Sequence, residues 1–284
     1  MKNKNLGREF TYQDLPRSRR SQFSDIFKNE WRTLLLIGLW LLISAIPYLV
    51  VFVGRFLGYS FLLGAYQEAG ISQEEINLRL VIFNLIVDAV NIFSFIVLAI
   101  PLAGSSRVFR NLVYGEGILF KDDFIKGVKD NVLMYIVLCF IFGAIKSGVN
   151  YLINFSNMNG NMFYLIMSGF LLIAFYLLIV PALALFANLK QTYQITFMNA
   201  VKTSIKMSIV SFIVVLLFAF PLYFAQYISF IAVLFVGVLL ICIIFLILGP
   251  LYLLLWKLYI AHLFDKYINS TSYPDFYRKG LAKE

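Results

Sequence analysis

The chain has 284 residues, 61% hydrophobic and only 14% charged, with a mean hydropathy of +0.83. A water-soluble domain carries about 25% charged residues, so this composition excludes a soluble fold, which could not cover its surface with polar groups. The formal charge of +9 lies in short segments between apolar blocks, a distribution that points to lipid head groups and membrane topology and away from nucleic acid.

Residues 1–22 read as a disordered basic cytoplasmic tail, 23–268 as a six-helix membrane domain and 269–284 as a second cytoplasmic tail. No apolar leader precedes the first long block, so that block is expected to serve as the targeting signal itself. Six blocks reach the roughly 20 apolar residues that a spanning helix needs. They are 33–53, 80–103, 131–152, 162–187, 205–224 and 228–256, the last running past Pro250 with room for a kink.

The cations fix an orientation. The N-terminal tail carries Lys2, Lys4, Arg8, Arg17, Arg19, Arg20, Lys28 and Arg32, and the first connection only Arg55 and Arg79 against Glu68, Glu74 and Glu75. The second connection has Arg107, Arg110, Lys121, Lys126 and Lys129, and the third, near 154–161, has none. The fourth has Lys190, Lys202 and Lys206, the turn near Gln226 none, and the C-terminal tail Lys257, Lys266, Arg278, Lys279 and Lys283. Basic and non-basic segments alternate, which puts both termini in the cytoplasm for an even number of spans.

Phe23, Phe27 and Trp31 recur at helical spacing before the first span, Phe124, Val128 and Val132 before the third, and Phe197, Val201 and Ile205 before the fifth. In each set the middle residue is followed by a lysine: Lys28, Lys129 or Lys202. Such a stripe suits an amphipathic helix at an anionic interface. Pro47 and Pro221 follow Phe23 and Phe197 at equal distance, Gly148 takes that place after Phe124, and the returning helices carry Pro101, Pro181 and Pro250. The expectation is an all-α polytopic membrane fold: six transmembrane helices in three helical hairpins, each preceded by a cytoplasmic amphipathic helix, as in transporters built of parallel repeats.

Ionisable residues inside a membrane helix are costly and are read first as functional. Asp88 lies in the second span with Asn84 and Asn91 on the same face, and Lys146 in the third span one turn from Asn150. Measured from the expected outer ends at Leu80 and Leu152, Asp88 lies ~12 Å deep and Lys146 ~9 Å. The two are expected to face each other in the outer half of the bundle. One reading is a polar cavity for a small solute or ion; the others are a helix-locking ion pair, or Lys146 reaching outward to the head groups.

No other constellation carries chemistry. Cys139 and Cys242 sit within apolar blocks, His262 stands alone, Gly115-Glu-Gly117 lacks the Lys-Ser/Thr of a phosphate cradle, and the intramembrane serines lack a base. No cofactor and no enzymatic activity is expected, and without a Walker motif any use of ATP falls to a partner.

Several short stretches carry a resemblance: Phe27-Lys-Asn-Glu-Trp31, Gly115-Glu-Gly117 with Phe120-Lys-Asp-Asp-Phe124, Asn188-Leu-Lys-Gln191, Asn199-Ala-Val-Lys-Thr203, Leu248-Gly-Pro250 and Phe264-Asp-Lys-Tyr-Ile-Asn269. Together they resemble the YesL-like family of bacterial membrane proteins, departing from it at Val53-Gly-Arg55. The resemblance implies a protein of the cytoplasmic membrane in Gram-positive-type bacteria that works beside carbohydrate transporters, and it brings no catalytic residues. The functional expectation is a non-enzymatic component associated with transport, with the bilayer and a transporter complex as partners. The alternatives are a self-contained small-solute transporter or channel, and a structural or regulatory membrane protein.

Overall fold

A computed structural model of the chain describes residues 15–160, 162–174, 187–188 and 242–282. These are helical, with no strand among the described residues. Helix α1 (Arg19–Asn29) opens on a capping box in which the Ser18 hydroxyl accepts the Ser21 N–H and the Ser21 hydroxyl accepts the Ser18 N–H. The chain breaks at Glu30 and restarts as α2 (Trp31–Glu68). A turn through Gly70, at φ +66°, leads to α3 (Gln73–Tyr114). The Ser72 hydroxyl caps α3, and Glu74 and Glu75 complement its N-terminal dipole.

At the other end of α3, Gly115 takes a left-handed conformation and the Glu116 N–H bonds back to the Asn111 carbonyl. Helix α4 (Phe120–Asn159) follows, with the Asp123 carboxylate accepting the Leu119 N–H, and then α5 (Met162–Ala174). Helix α6 (Gly249–Phe264) has a wider π-helical turn on each side, Ile244–Leu248 and Asp265–Asn269.

Among the described residues, four helical runs are long and apolar enough to cross a membrane: Trp31–Glu68, Gln73–Tyr114, Phe120–Ser156 and Phe245–Ser272. Their outer faces are apolar stripes at helical spacing. On α2 these are Leu36, Leu39, Ile43, Ile46 and Val50; on α3 Ile82, Ile86, Val90 and Phe93; on α4 Leu133, Val137 and Phe140. Polar residues lie within instead: Asn84, Asp88, Ser94, Ser105, Ser106 and Asn111 of α3 are buried. Apolar outside and polar inside is the reverse of a soluble bundle, and lipid is the solvent that suits it.

Helices α2, α3 and α4 are 38, 42 and 40 residues long. At the helical rise that is ~57–63 Å, about twice the hydrocarbon thickness. Contacts along the α2–α3 hairpin set its register: Arg55 meets Asn84 and Asp88, Gly58 meets the Phe83 ring, and Tyr48 meets Phe95. Position 53 therefore lies opposite about position 89, and position 80 opposite about position 62. The outer ends expected at 53 and 80 differ in height by ~13 Å, so they cannot both mark one membrane surface.

Charge gives better markers. Arg107 of α3 pairs with Asp130 of α4 at 3.1 Å, and the register brings Arg32 of α2 to about the same level. From this basic layer to the layer of Arg55, Asp88 and Asn150 is about 20 residues on each helix, ~30 Å, which matches one hydrocarbon core. Beyond that second layer the hairpin runs on for another ~20 Å to its tip, with Phe61 75% exposed.

The main core sits at the basic end. Ile37 and Leu41 of α2, Val108, Phe109 and Val113 of α3, Phe124 of α4, and Leu254 and Leu258 of α6 bury one another there with Ile26 of α1. The amphipathic segment at Phe124 is thus the first part of α4 itself, packed inward: Phe124 stacks on Trp40, and Gly104 leaves room for its ring. The expected tails also differ. Helix α1 begins at Arg19, inside the stretch expected to be disordered, and Arg19 and Gln22 are buried.

The Arg19 guanidinium pairs with Asp265 at 2.7 Å and donates to the carbonyls of Val113 and Lys279. Asp265 also accepts from Asn269 and from the Arg278 N–H, and Lys279 pairs with Glu116. Residues at both ends of the described chain thereby close over the end of α3, where Gly280 (φ +81°) crosses the Val113 carbonyl too closely for any side chain. The third amphipathic segment (197–205), Pro181 and Pro221 lie outside the described residues, as does most of the chain expected to form spans four to six.

Candidate functional site

Three helices build one polar cluster at the far charge layer. On α3, Asn84, Asp88 and Asn91 follow at i, i+4 and i+7, so one helix face carries all three. Asp88 is 2% exposed, whereas the Arg55 side chain retains 32% exposure. Arg55 Nη1 donates to Asp88 Oδ1 at 3.0 Å, while Nε and Nη2 both donate to Asn84 Oδ1, at 3.1 and 3.0 Å. From α4, the Asn150 amide donates to Asp88 Oδ1 at 3.3 Å and the Ser147 hydroxyl to the Asp88 carbonyl at 3.2 Å. Asp88 Oδ2 and Asn91 Oδ1 are buried and have no hydrogen-bond partner among the described residues.

The expected pairing of Asp88 with Lys146 is not formed. Lys146 Nζ stands over two rings instead, 5.1 Å from the Phe95 centroid and 5.7 Å from that of Tyr48, where the ring quadrupoles hold the ammonium. Those rings touch each other at 5.5 Å, and Phe142 closes on Phe95 at 5.1 Å. Asp88, Asn84 and Asn150 do come together. Asn91 shares their helix face without joining the bonded network.

Arg55 was missed because it ends the first apolar block and reads as a loop residue. The signal lay just beyond it: Phe56 to Tyr66 is again apolar, so Arg55 interrupts a helix and does not terminate one. The depth expected for Asp88 falls with the boundary at Leu80. Against the charge layers, Asp88 lies at the edge of the hydrocarbon slab, where an Arg–Asp pair costs far less than at its centre.

Cys139 and Cys242 are free and half-buried, and His262 is exposed. Among the described residues no group of three or more His, Cys, Asp or Glu side chains could hold a metal. Gly115-Glu-Gly117 is the turn that ends α3.

No protein-family model, no curated protein and no solved structure matches the chain. Among the described residues, fold and site define an all-helical protein with four helices long and apolar enough to cross a membrane, three of them joined at one level by an ion pair and its amides.

Proposed function

We propose that the chain is a YesL-like, six-helix, multi-pass protein of a bacterial cytoplasmic membrane, with both termini in the cytoplasm. In this reading it catalyses no reaction and serves as an accessory to a transport system for carbohydrate. The observation that carries the accessory role is the internal pairing of the polar site. A solute route needs polar groups that exchange partners with what passes. Asp88 is 2% exposed and held by Arg55 and Asn150, a geometry that ties α2, α3 and α4 together. The alternation of basic segments supports the orientation, and the resemblance supports the link to sugar uptake.

The test is recovery of the cross-linked, tagged full chain from its native membrane, with identification of bound proteins. Permease or ATPase subunits of a sugar-uptake system, enriched over an unrelated multi-pass control, are the expected result. Recovery of the chain without any such subunit would defeat the accessory role.

One observation favours a second reading, a self-contained small-solute transporter or channel. Asp88 Oδ2 and Asn91 Oδ1 lie one turn apart on α3 and have no donor among the described residues. Solute flux into proteoliposomes that Asp88→Asn abolishes would replace the first reading with this one.

A further inference from the structure

A groove of about 220 Å³ opens at the basic end, between the α1–α2 junction and the π-helical turn before α6. Every lining side chain is apolar, among them Phe27, Trp31, Leu35, Leu246, Ile247 and Pro250. Its cause is local. Pro250 has no N–H to give the Leu246 carbonyl in an α-helical turn, and the chain takes a wider π-helical turn there. The Leu246 carbonyl lies against Gly38 of α2, where no Cβ could fit. The two helices touch at Gly38 and leave a wedge one turn nearer the basic layer, at Trp31 to Leu35.

The rim is aromatic and cationic. Phe27 and Trp31 are 48% and 50% exposed. The Arg32 guanidinium lies 5.8 Å from the Trp31 centroid, and Lys28 is exposed beside Phe27. Asp25 accepts from the Asn29 amide and Glu30 from the Thr33 hydroxyl, and among the described residues neither forms an ion pair with Lys28 or Arg32. Arg17, just before the cap of α1, and Arg20 and Lys28 on the helix are exposed as well. An acyl-sized apolar slot is thus lined by Phe27 and Trp31, whose chain neighbours Lys28 and Arg32 are exposed cations without an acid partner among the described residues.

We propose that this groove binds an anionic phospholipid, with an acyl chain against Leu35 and Ile247 and the phosphate on Lys28 and Arg32. The claim is independent of the accessory role and goes beyond general contact with the bilayer, because it names one site and a head-group charge. In a Trp40→Phe/Trp256→Phe background, Trp31 is the one remaining tryptophan. Its quenching is titrated in phosphatidylcholine vesicles carrying either brominated phosphatidylglycerol or brominated phosphatidylcholine.

Phosphatidylglycerol is expected to associate more tightly, and Lys28→Gln/Arg32→Gln to lose roughly fivefold of that preference per cation removed. Lys121→Gln/Lys126→Gln removes the same charge from α4 and is expected to leave the preference intact. Equal quenching by the two lipids, or an equal loss in the α4 variant, would overturn the proposal. Should the single-tryptophan chain fail to fold, native mass spectrometry of the otherwise unaltered chain decides. Phosphatidylglycerol retained by the unaltered chain and lost from Lys28→Gln/Arg32→Gln supports the site; retention by both removes it.

Discussion

At the scale of single residues, Asp88 and Lys146 part company because a carboxylate and a ring cluster compete for two cations. Arg55 offers a planar fork that serves Asp88 and Asn84 at once, which a lysine cannot do. Lys146, a compact point charge, is left to the faces of Tyr48 and Phe95. Removing one partner of a buried ion pair costs about 3–5 kcal/mol; the partial exposure of Arg55 puts Asp88→Asn at the lower end of that range. Lys146→Met removes only a ring contact, worth about 1 kcal/mol. Unfolding in mixed micelles should rank the two in that order. Arg55→Asp/Asp88→Arg should regain stability over either single change, whereas Asp88→Lys/Lys146→Asp should not. Rescue by the second swap would return the pairing to Lys146.

At the scale of elements, the long helices are held by close crossings and by their ends. Gly38 admits the Leu246 carbonyl, and Gly127 admits the backbone of Ala103 and Gly104 and the Cβ of Arg107. The latch at the basic end is polar and nearly dry, for Arg19 and Asp265 are only 9% and 10% exposed in their side chains. Asp265→Asn keeps the shape and removes the charge, leaving Arg19 buried without its anion. The segment 270–282 should then open, and trypsin should cut at Arg278 and Lys279 faster than in the unaltered chain. Equal cleavage rates would mean that apolar packing, of Phe276 on Tyr114 for example, holds the segment alone.

Much at this scale was legible beforehand. Helix after helix follows from apolar blocks of spanning length, and the stripe Phe23–Phe27 lies on a helix where expected. The ends were not legible, because hydropathy falls at a charged residue whether or not the helix stops there. Arg55 and Lys121 to Asp130 each sit inside a helix that a block reading truncates.

At the scale of the molecule, the topology proposed from the two charge layers and the alternation of basic segments is one that reporters can read. Alkaline phosphatase fused after Ile71, at the tip of the α2–α3 hairpin, should be active in a bacterial host, and the same enzyme fused after Glu284 inactive. An active C-terminal fusion would overturn the even number of spans if the Ile71 fusion is active as well, and the orientation if the Ile71 fusion is inactive.

Composition and the spacing of apolar residues determined by themselves that lipid is the solvent here, since neither depends on which helix meets which. They also placed Asn84, Asp88 and Asn91 on one helix face, because helical periodicity carries that information within a span; the link from Asp88 to Asn150 on α4 came with the fold. The partner of Asp88, the height of the site and the latch between distant chain segments were decided only in three dimensions. Each depends on the register between helices, and that register is set by glycine crossings and side-chain contacts between positions far apart in the chain.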